Sequence, residues 1–171
     1  MTEVIIIVAV AQNNIIGRDN DIPWRIREDF LHFKKHTTGH PCIMSDVCYK
    51  SLPEKSRPLP NRENIVLTFD ETYKPEGTTV FNDFHKAIEY CKANNEEKVF
   101  ITGGSSIYKL GLEIADTFLL TRLHKDIEGD VSFPDVDWTQ WKEVSSEKNT
   151  SLESISKTDI NYSFIEYKRV N

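Results

Sequence analysis

Apolar and polar positions change rhythm several times along this chain, and each rhythm predicts an element. Val4 to Ala11 is an unbroken apolar run, the pattern of a strand buried on both faces. Gln12 to Trp24 is rich in Asn and Asp and reads as a loop; a helix is predicted after it, from about Arg25 to His36. Cys42-Ile43-Met44, Ile65 to Thr68 and, more faintly, Thr78 to Phe81 read as strands. From Asp83 to Ala93 the apolar residues Phe84, Ala87, Ile88 and Cys91 recur at helical spacing, with Asp83 placed to cap them. Lys98 to Thr102 reads as a strand that ends at Gly103-Gly104, and Ser105 to Ile114 as the next helix. Thr117 to Leu123, Trp141 to Ser145 and Tyr162 to Tyr167 are strands with no helix between them. The expected fold is therefore α/β: residues 1–171 form one domain, a mixed, mostly parallel twisted sheet flanked by about four helices, with antiparallel C-terminal edge strands.

Composition narrows the function. With 171 residues and 39% hydrophobic content the chain can bury one substantial core but not two. A net charge of −6 argues against a nucleic-acid partner. The apolar start is too short to cross a bilayer and no basic residue precedes it, so neither a membrane span nor a signal peptide is expected. Cys42, Cys48 and Cys91 form no Cys-x-x-Cys pair and have no His at zinc-ligand spacing; reduced thiols in a cytoplasm fit best, and no metal is expected.

One residue breaks the pattern. On the first predicted helix Ile26, Asp29, Phe30 and Phe33 share a face, three apolar residues and an acid. Burying an ionised carboxylate alone costs several kcal/mol, so such an acid is paired, uptitrated or kept for a ligand. No Lys or Arg is expected on that face to pair with it. The competing explanation is that Asp29, with Glu28, only complements the helix dipole, a gain of roughly 0.3–1 kcal/mol.

Around it stand several short motifs in a fixed order: Ala9-Val10-Ala11 with Ile15-Ile16-Gly17, Ile22-Pro23-Trp24, Asp29 with Phe33 and Lys34, Arg57 to Ile65, Ile101 to Tyr108, Thr121, and Glu128-Gly129-Asp130 with Phe133-Pro134. Along nearly its whole length the chain resembles the bacterial type of dihydrofolate reductase. That resemblance implies reduction of dihydrofolate to tetrahydrofolate, binding of dihydrofolate and of antifolates, a monomer, and a role in one-carbon metabolism. Asp29, Trp24 and Thr121 would be the catalytic group, with Asp29 accepting two parallel donors from a pterin ring. Ile7, Ala9, Phe33, Leu52, Thr102 and Tyr108 would line the substrate slot, and Arg62 would grip the glutamate tail. Asn13 to Trp24 would be a loop closing over the nicotinamide, with Gly17 as hinge and Trp24 as anchor.

For the cofactor the resemblance implies NADPH, held by Ala9, Ile16, Gly17, Ser45, Thr68, Gly103, Gly104, Ser105, Ser106 and Ile107, with an unusual peptide bond between the two glycines. Here the chain departs from the family. A glycine, a basic residue and a threonine that usually follow the second strand are replaced by Ser45, Asp46 and Cys48, and Phe69 stands where a small hydroxyl residue is common. An acid facing a 2′-phosphate repels it, whereas an acid can accept the free 2′-hydroxyl of NADH. Asp46 and Phe69 therefore leave room for NADH or dual use, although Lys50, Lys74 or Ser106 remain as phosphate ligands. Asn61, where glycine is common, and Thr102, where an apolar residue is common, depart as well. A folate binder that has lost its cofactor affinity is the alternative; a pyrimidine reductase of riboflavin synthesis is disfavoured by Asp29, Arg62 and Thr121 together.

Overall fold

Side-chain alternation on the first strand sets the layering. In β1 (Glu3–Val10) every residue from Val4 to Val8 is buried, as expected of a strand covered on both faces. Val4, Ile6, Val8 and Val10 join one core cluster with residues of α3 (Phe84–Ala93) and α4 (Ser105–Ile114). Ile5 and Ile7 join a second cluster with Phe33 of α1 (Arg27–Thr37) and with Cys48 and Tyr49 of α2 (Asp46–Ser51). The protein, a computed structural model describing residues 1–171, is thus a sheet with two helices on each face.

The remaining strands of the main sheet are β3 (Cys42–Ser45), β4 (Asn64–Leu67), β5 (Thr78–Phe81), β6 (Lys98–Gly103), β7 (Thr117–Leu123), β9 (Trp141–Glu153) and β10 (Thr158–Arg169). Their order is β5-β4-β3-β6-β1-β7-β10-β9, parallel from β5 to β7 and antiparallel in the last two pairings. The expected α/β architecture holds, with α4 and β7 bounded as the pattern predicts and Asp83 capping α3 through the Lys86 N–H.

Four features differ from the sequence reading. The segment Gln12 to Trp24 is not all loop: β2 (Ile15–Gly17) pairs with β8 (Val131–Ser132) in a separate small sheet. A short helix, α2, follows β3. The C-terminal hairpin is much longer than predicted, because β9 lies at the sheet edge with its middle exposed and needs no apolar alternation. Phe30 is 66% exposed, so α1 buries a narrower stripe than its spacing suggests.

All the parallel strands point the same way and therefore share one carboxyl edge. Ala9, Ser45, Thr68, Thr102 to Gly104 and Thr121 sit at or next to those strand ends, where open α/β sheets place their ligands.

Candidate active site

The sheet register aims Thr121 at Asp29. Thr121 pairs with Ala9 of β1 and Phe164 of β10, and, two residues along the strand, it shares the face of Leu119, whose side chain packs on the α1 side. His32 stacks on Phe164 at 3.9 Å and so seats α1 over these strands. The Thr121 Oγ1 hydroxyl then donates to Asp29 Oδ1 at 2.8 Å across 92 residues of sequence. Burial pushes the Asp29 carboxyl up to about 6, against the Thr121 bond, which favours the ionised form. Arg25, one turn earlier, gives no charge partner: its guanidinium donates to Asp21 and to the Ile22 and Trp24 carbonyls. Asp29 is therefore more than a complement to the helix dipole. It is a partly buried acid oriented by a neutral hydroxyl, and its second oxygen accepts no protein hydrogen bond.

Ile7, Phe33 and Leu52 meet in one apolar cluster with Met44 and Leu119, and Ala9 packs against the group around Trp24 and Ile26. Tyr108 enters from α4, with its hydroxyl donating to the Ile7 carbonyl at 3.1 Å and its ring beside Gly103. Burial, with Cys48 and Asp29 nearby, holds that phenol neutral. Thr102 spends its hydroxyl on the Ile43 carbonyl, 3.2 Å away.

Arg62 is fixed from two sides: Nε donates to the Pro60 carbonyl at 2.8 Å and one terminal nitrogen to Thr37 Oγ1 at 2.7 Å. Asn61 before it has a φ of +61°, a left-handed turn that asparagine tolerates, which accounts for its standing where glycine is common. Fully buried Asn64 pins the same loop through Leu59 and the Arg62 carbonyl.

Trp24 is buried with Ala11, Ile15, Leu123 and Tyr162 at the end of the loop. The left-handed turns of that loop fall on Asn14, Asp19 and Asn20 rather than on Gly17. What Gly17 supplies is close approach, since a Cβ there would meet Val131 at 3.3 Å. The loop is latched to residues 127–133 by Asn13 with Ile127, Asn14 with Phe133, and the Asp130 N–H with the Gly17 carbonyl.

Glu153, which carries no distinguishing sequence signal, ties Trp24-Arg25 to the C-terminal hairpin. Burial alone would raise its pKa, yet the N–H groups of Ile155, Ser156 and Arg25 hold it at about 2. Because that value lies below the unfolded one, its contribution to stability is complete above pH ~4.5 and fades as pH falls toward 2. Glu153→Gln is expected to cost about 1.5–3 kcal/mol in urea unfolding at pH 7. At pH 3 the difference from the parent should shrink; an equal difference at both values would remove the charge from the explanation.

On the other half of the edge, Ser45 caps α2 by accepting the Cys48 N–H at 3.1 Å. The Cys48 thiol, pushed up to about 11 by burial, lies against the Thr102 carbonyl. Asp46 accepts a bond from Thr68 Oγ1 at 2.8 Å. The Gly103-Gly104 peptide is cis, and Gly104 begins α4 without a side-chain cap. Ile107 buries its side chain in the core and bonds its N–H to the Gly104 carbonyl, which leaves it nothing polar to offer. Ile16 is half-buried on β2. Two clefts elsewhere, about 620 Å³ around Tyr49 and Tyr73 and about 320 Å³ around Arg122 and Trp138, include neither Asp29 nor Thr121.

The chain resembles known proteins along nearly its whole length. The family model described as dihydrofolate reductase matches residues 3–169. The dihydrofolate reductase of Bacillus subtilis is 38% identical over 165 residues, covering 96% of this chain and 94% of that one. That of Staphylococcus haemolyticus is 39% identical over 96% of this chain and 95% of its own. A solved Enterococcus faecalis dihydrofolate reductase, complexed with NADP(H) and RAB-propyl, superimposes with a TM-score of 0.88 at 28% identity, covering 99% of this chain and 97% of that one. The chain belongs to the dihydrofolate reductase family.

Proposed function

We propose that this chain reduces 7,8-dihydrofolate to tetrahydrofolate, with Asp29 as the anchor of the pterin ring. The observation that carries the reading is the Asp29–Thr121 pair at the carboxyl edge of the sheet, above Ile7 and Phe33. A pterin presents its 2-amino group and an adjacent ring N–H side by side, and a carboxylate accepts both in a charge-assisted pair. With a pKa raised to about 6, Asp29 is still mostly ionised at neutral pH. Held there, it orients the ring and favours a proton at N5, delivered through water because the carboxylate meets the opposite side of the ring. Thr121 keeps the carboxylate in register, and Ile7, Phe33 and Leu52 form the dry walls.

The cofactor half fits a dinucleotide. The amides of Ser105 and Ser106 have no acceptor within the protein, and a Cβ built on Gly104 meets no atom within 4 Å, so the helix start is both polar and approachable. When bound, the reduced nicotinamide supplies the hydride that C6 of the substrate accepts. Asn13 to Trp24, latched at Asp130, covers that side and excludes water. The donor is a nicotinamide dinucleotide, the class of cofactor in the Enterococcus relative's complex with NADP(H). A monomer is proposed: Lys142, Glu143, Glu147 and Lys148 along edge strand β9 oppose strand pairing between copies. No helix is long and apolar enough to cross a membrane, and the cytoplasm is the proposed location.

The test is direct. Protein, dihydrofolate and NADPH or NADH are mixed and the nicotinamide absorbance is followed, with loss of absorbance matched by tetrahydrofolate. Tight antifolate binding without turnover by either donor would instead favour the binder. Arg62→Leu should raise KM for dihydrofolate about tenfold or more with kcat nearly intact, since it removes charge-assisted bonds made equally in ground and transition states. An unchanged KM would take Arg62 out of the site.

A further inference from the structure

Three neighbouring strands, β6, β3 and β4, end together on the carboxyl edge, and each delivers a different polar group. After β6 comes the uncapped start of α4 at Gly104-Ser105. Beyond β3 comes Asp46, and beyond β4 comes Thr68; the register pairs Ser45 with Leu67, so Asp46 and Thr68 are the next residues across. Strand spacing of ~4.8 Å places the carboxylate one strand from the helix start.

Asp46 is held there firmly. Oδ2 accepts from the Thr68 hydroxyl at 2.8 Å, Oδ1 accepts the Val47 N–H at 2.8 Å, and Thr68 Oγ1 in turn accepts the Asp70 N–H at 3.1 Å. The groups around it suit a hydroxyl better than a phosphate. No Lys or Arg pairs with Asp46. Lys50, one turn along α2, has its ammonium 4.4 Å over the Tyr73 ring. Phe69, next to Thr68, is 93% exposed and has no polar side-chain atom, and Asp70 after it adds a second negative charge.

We infer that Asp46, fixed by Thr68, makes the adenosine end of the dinucleotide site select a ribose with a free 2′-hydroxyl, so that NADH is a better donor than NADPH. The inference rests on the reductase reading and deepens it. The 2′-hydroxyl donates to the Asp46 carboxylate. A 2′-phosphate at the same place meets the carboxylate of Asp46, which no Lys or Arg pairs, and that of Asp70, which Lys50 offsets only in part.

Binding and turnover are measured separately. Dissociation constants for NADH, NADPH, 5′-AMP and adenosine 2′,5′-bisphosphate are determined by calorimetry on the parent, Asp46→Asn and Asp46→Arg, and kcat/KM is measured with both donors. The parent should bind NADH more tightly than NADPH and 5′-AMP more tightly than the bisphosphate. Asp46→Asn, which keeps an acceptor for Thr68, should shift the ratio toward NADPH about tenfold, and Asp46→Arg further. Added salt should narrow the parent's discrimination. Turnover with NADPH bound tenfold more tightly than NADH, or a ratio unmoved in Asp46→Asn, would overturn the inference and leave the reductase reading intact. Antifolate binding with neither donor bound or used would overturn both.

Discussion

Asp29→Asn is expected to lower kcat/KM for dihydrofolate at pH 7 by about a hundredfold while making the unliganded protein more stable. The loss follows from the pterin anchor: an amide cannot accept two donors from one ring edge, and the charge-assisted bonds it replaces are each worth ~1.5–3 kcal/mol. The gain follows from linkage. The folded pKa of about 6 lies above the unfolded value of 3.8, so the folded state holds the proton more tightly. Its stability contribution is full below about pH 4 and is lost as pH rises through 6. At pH 7 the buried charge therefore costs up to about 3 kcal/mol, at ~1.4 kcal/mol per pKa unit. Asparagine keeps an acceptor for Thr121 and removes that cost. Urea unfolding at pH 7 and pH 4 checks it: the variant's advantage should be present at pH 7 and nearly gone at pH 4. A variant less stable than the parent at pH 7 would mean that Asp29 is satisfied by the fold itself.

Gly129→Val should slow hydride transfer more than tenfold with a smaller effect on dihydrofolate affinity. A Cβ at Gly129 falls inside contact distance of both the Ile15 side chain and the Gly17 carbonyl. The side chain can rotate, but the carbonyl is held by the Asp130 N–H at 3.0 Å and cannot retreat without loosening β2 from β8. Overpacking of this kind costs ~1–3 kcal/mol, and here it falls on the latch that holds the loop from Asn13 to Trp24. The pterin slot, built from α1 and β1, is left alone. Single-turnover hydride transfer and equilibrium binding on the same variant separate the two effects. A normal transfer rate would show that the latch is not needed for closure.

The fold was legible where periodicity was strong. Phe84, Ala87, Ile88 and Cys91 announced α3, and Asp83 its start, because burial along a helix leaves a mark at fixed spacing. It was illegible where burial was slight. In β9 only Trp141 and Glu153, at its two ends, are buried, so most of a long strand looks like solvated chain. Six residues of α2 are too few to show a period. At the site, sequence could place Asp29 on an apolar face but not supply its partner, since Thr121 arrives through the register of β1 with β7. Phe30, counted in the same stripe, turned outward because α1 meets the sheet along a narrower line. Glu153 reads as an ordinary surface acid until three backbone N–H groups converge on it.

The central claim is that Asp29 anchors the pterin and governs protonation at N5. Its most direct measurement is the pH dependence of the hydride-transfer rate constant for the parent and Asp29→Asn with saturating dinucleotide. The parent rate should fall as pH rises through one apparent pKa at or above 6, and the variant should be slow at pH 7 and lack that titration. A variant that kept the parental rate and the parental profile would contradict the account.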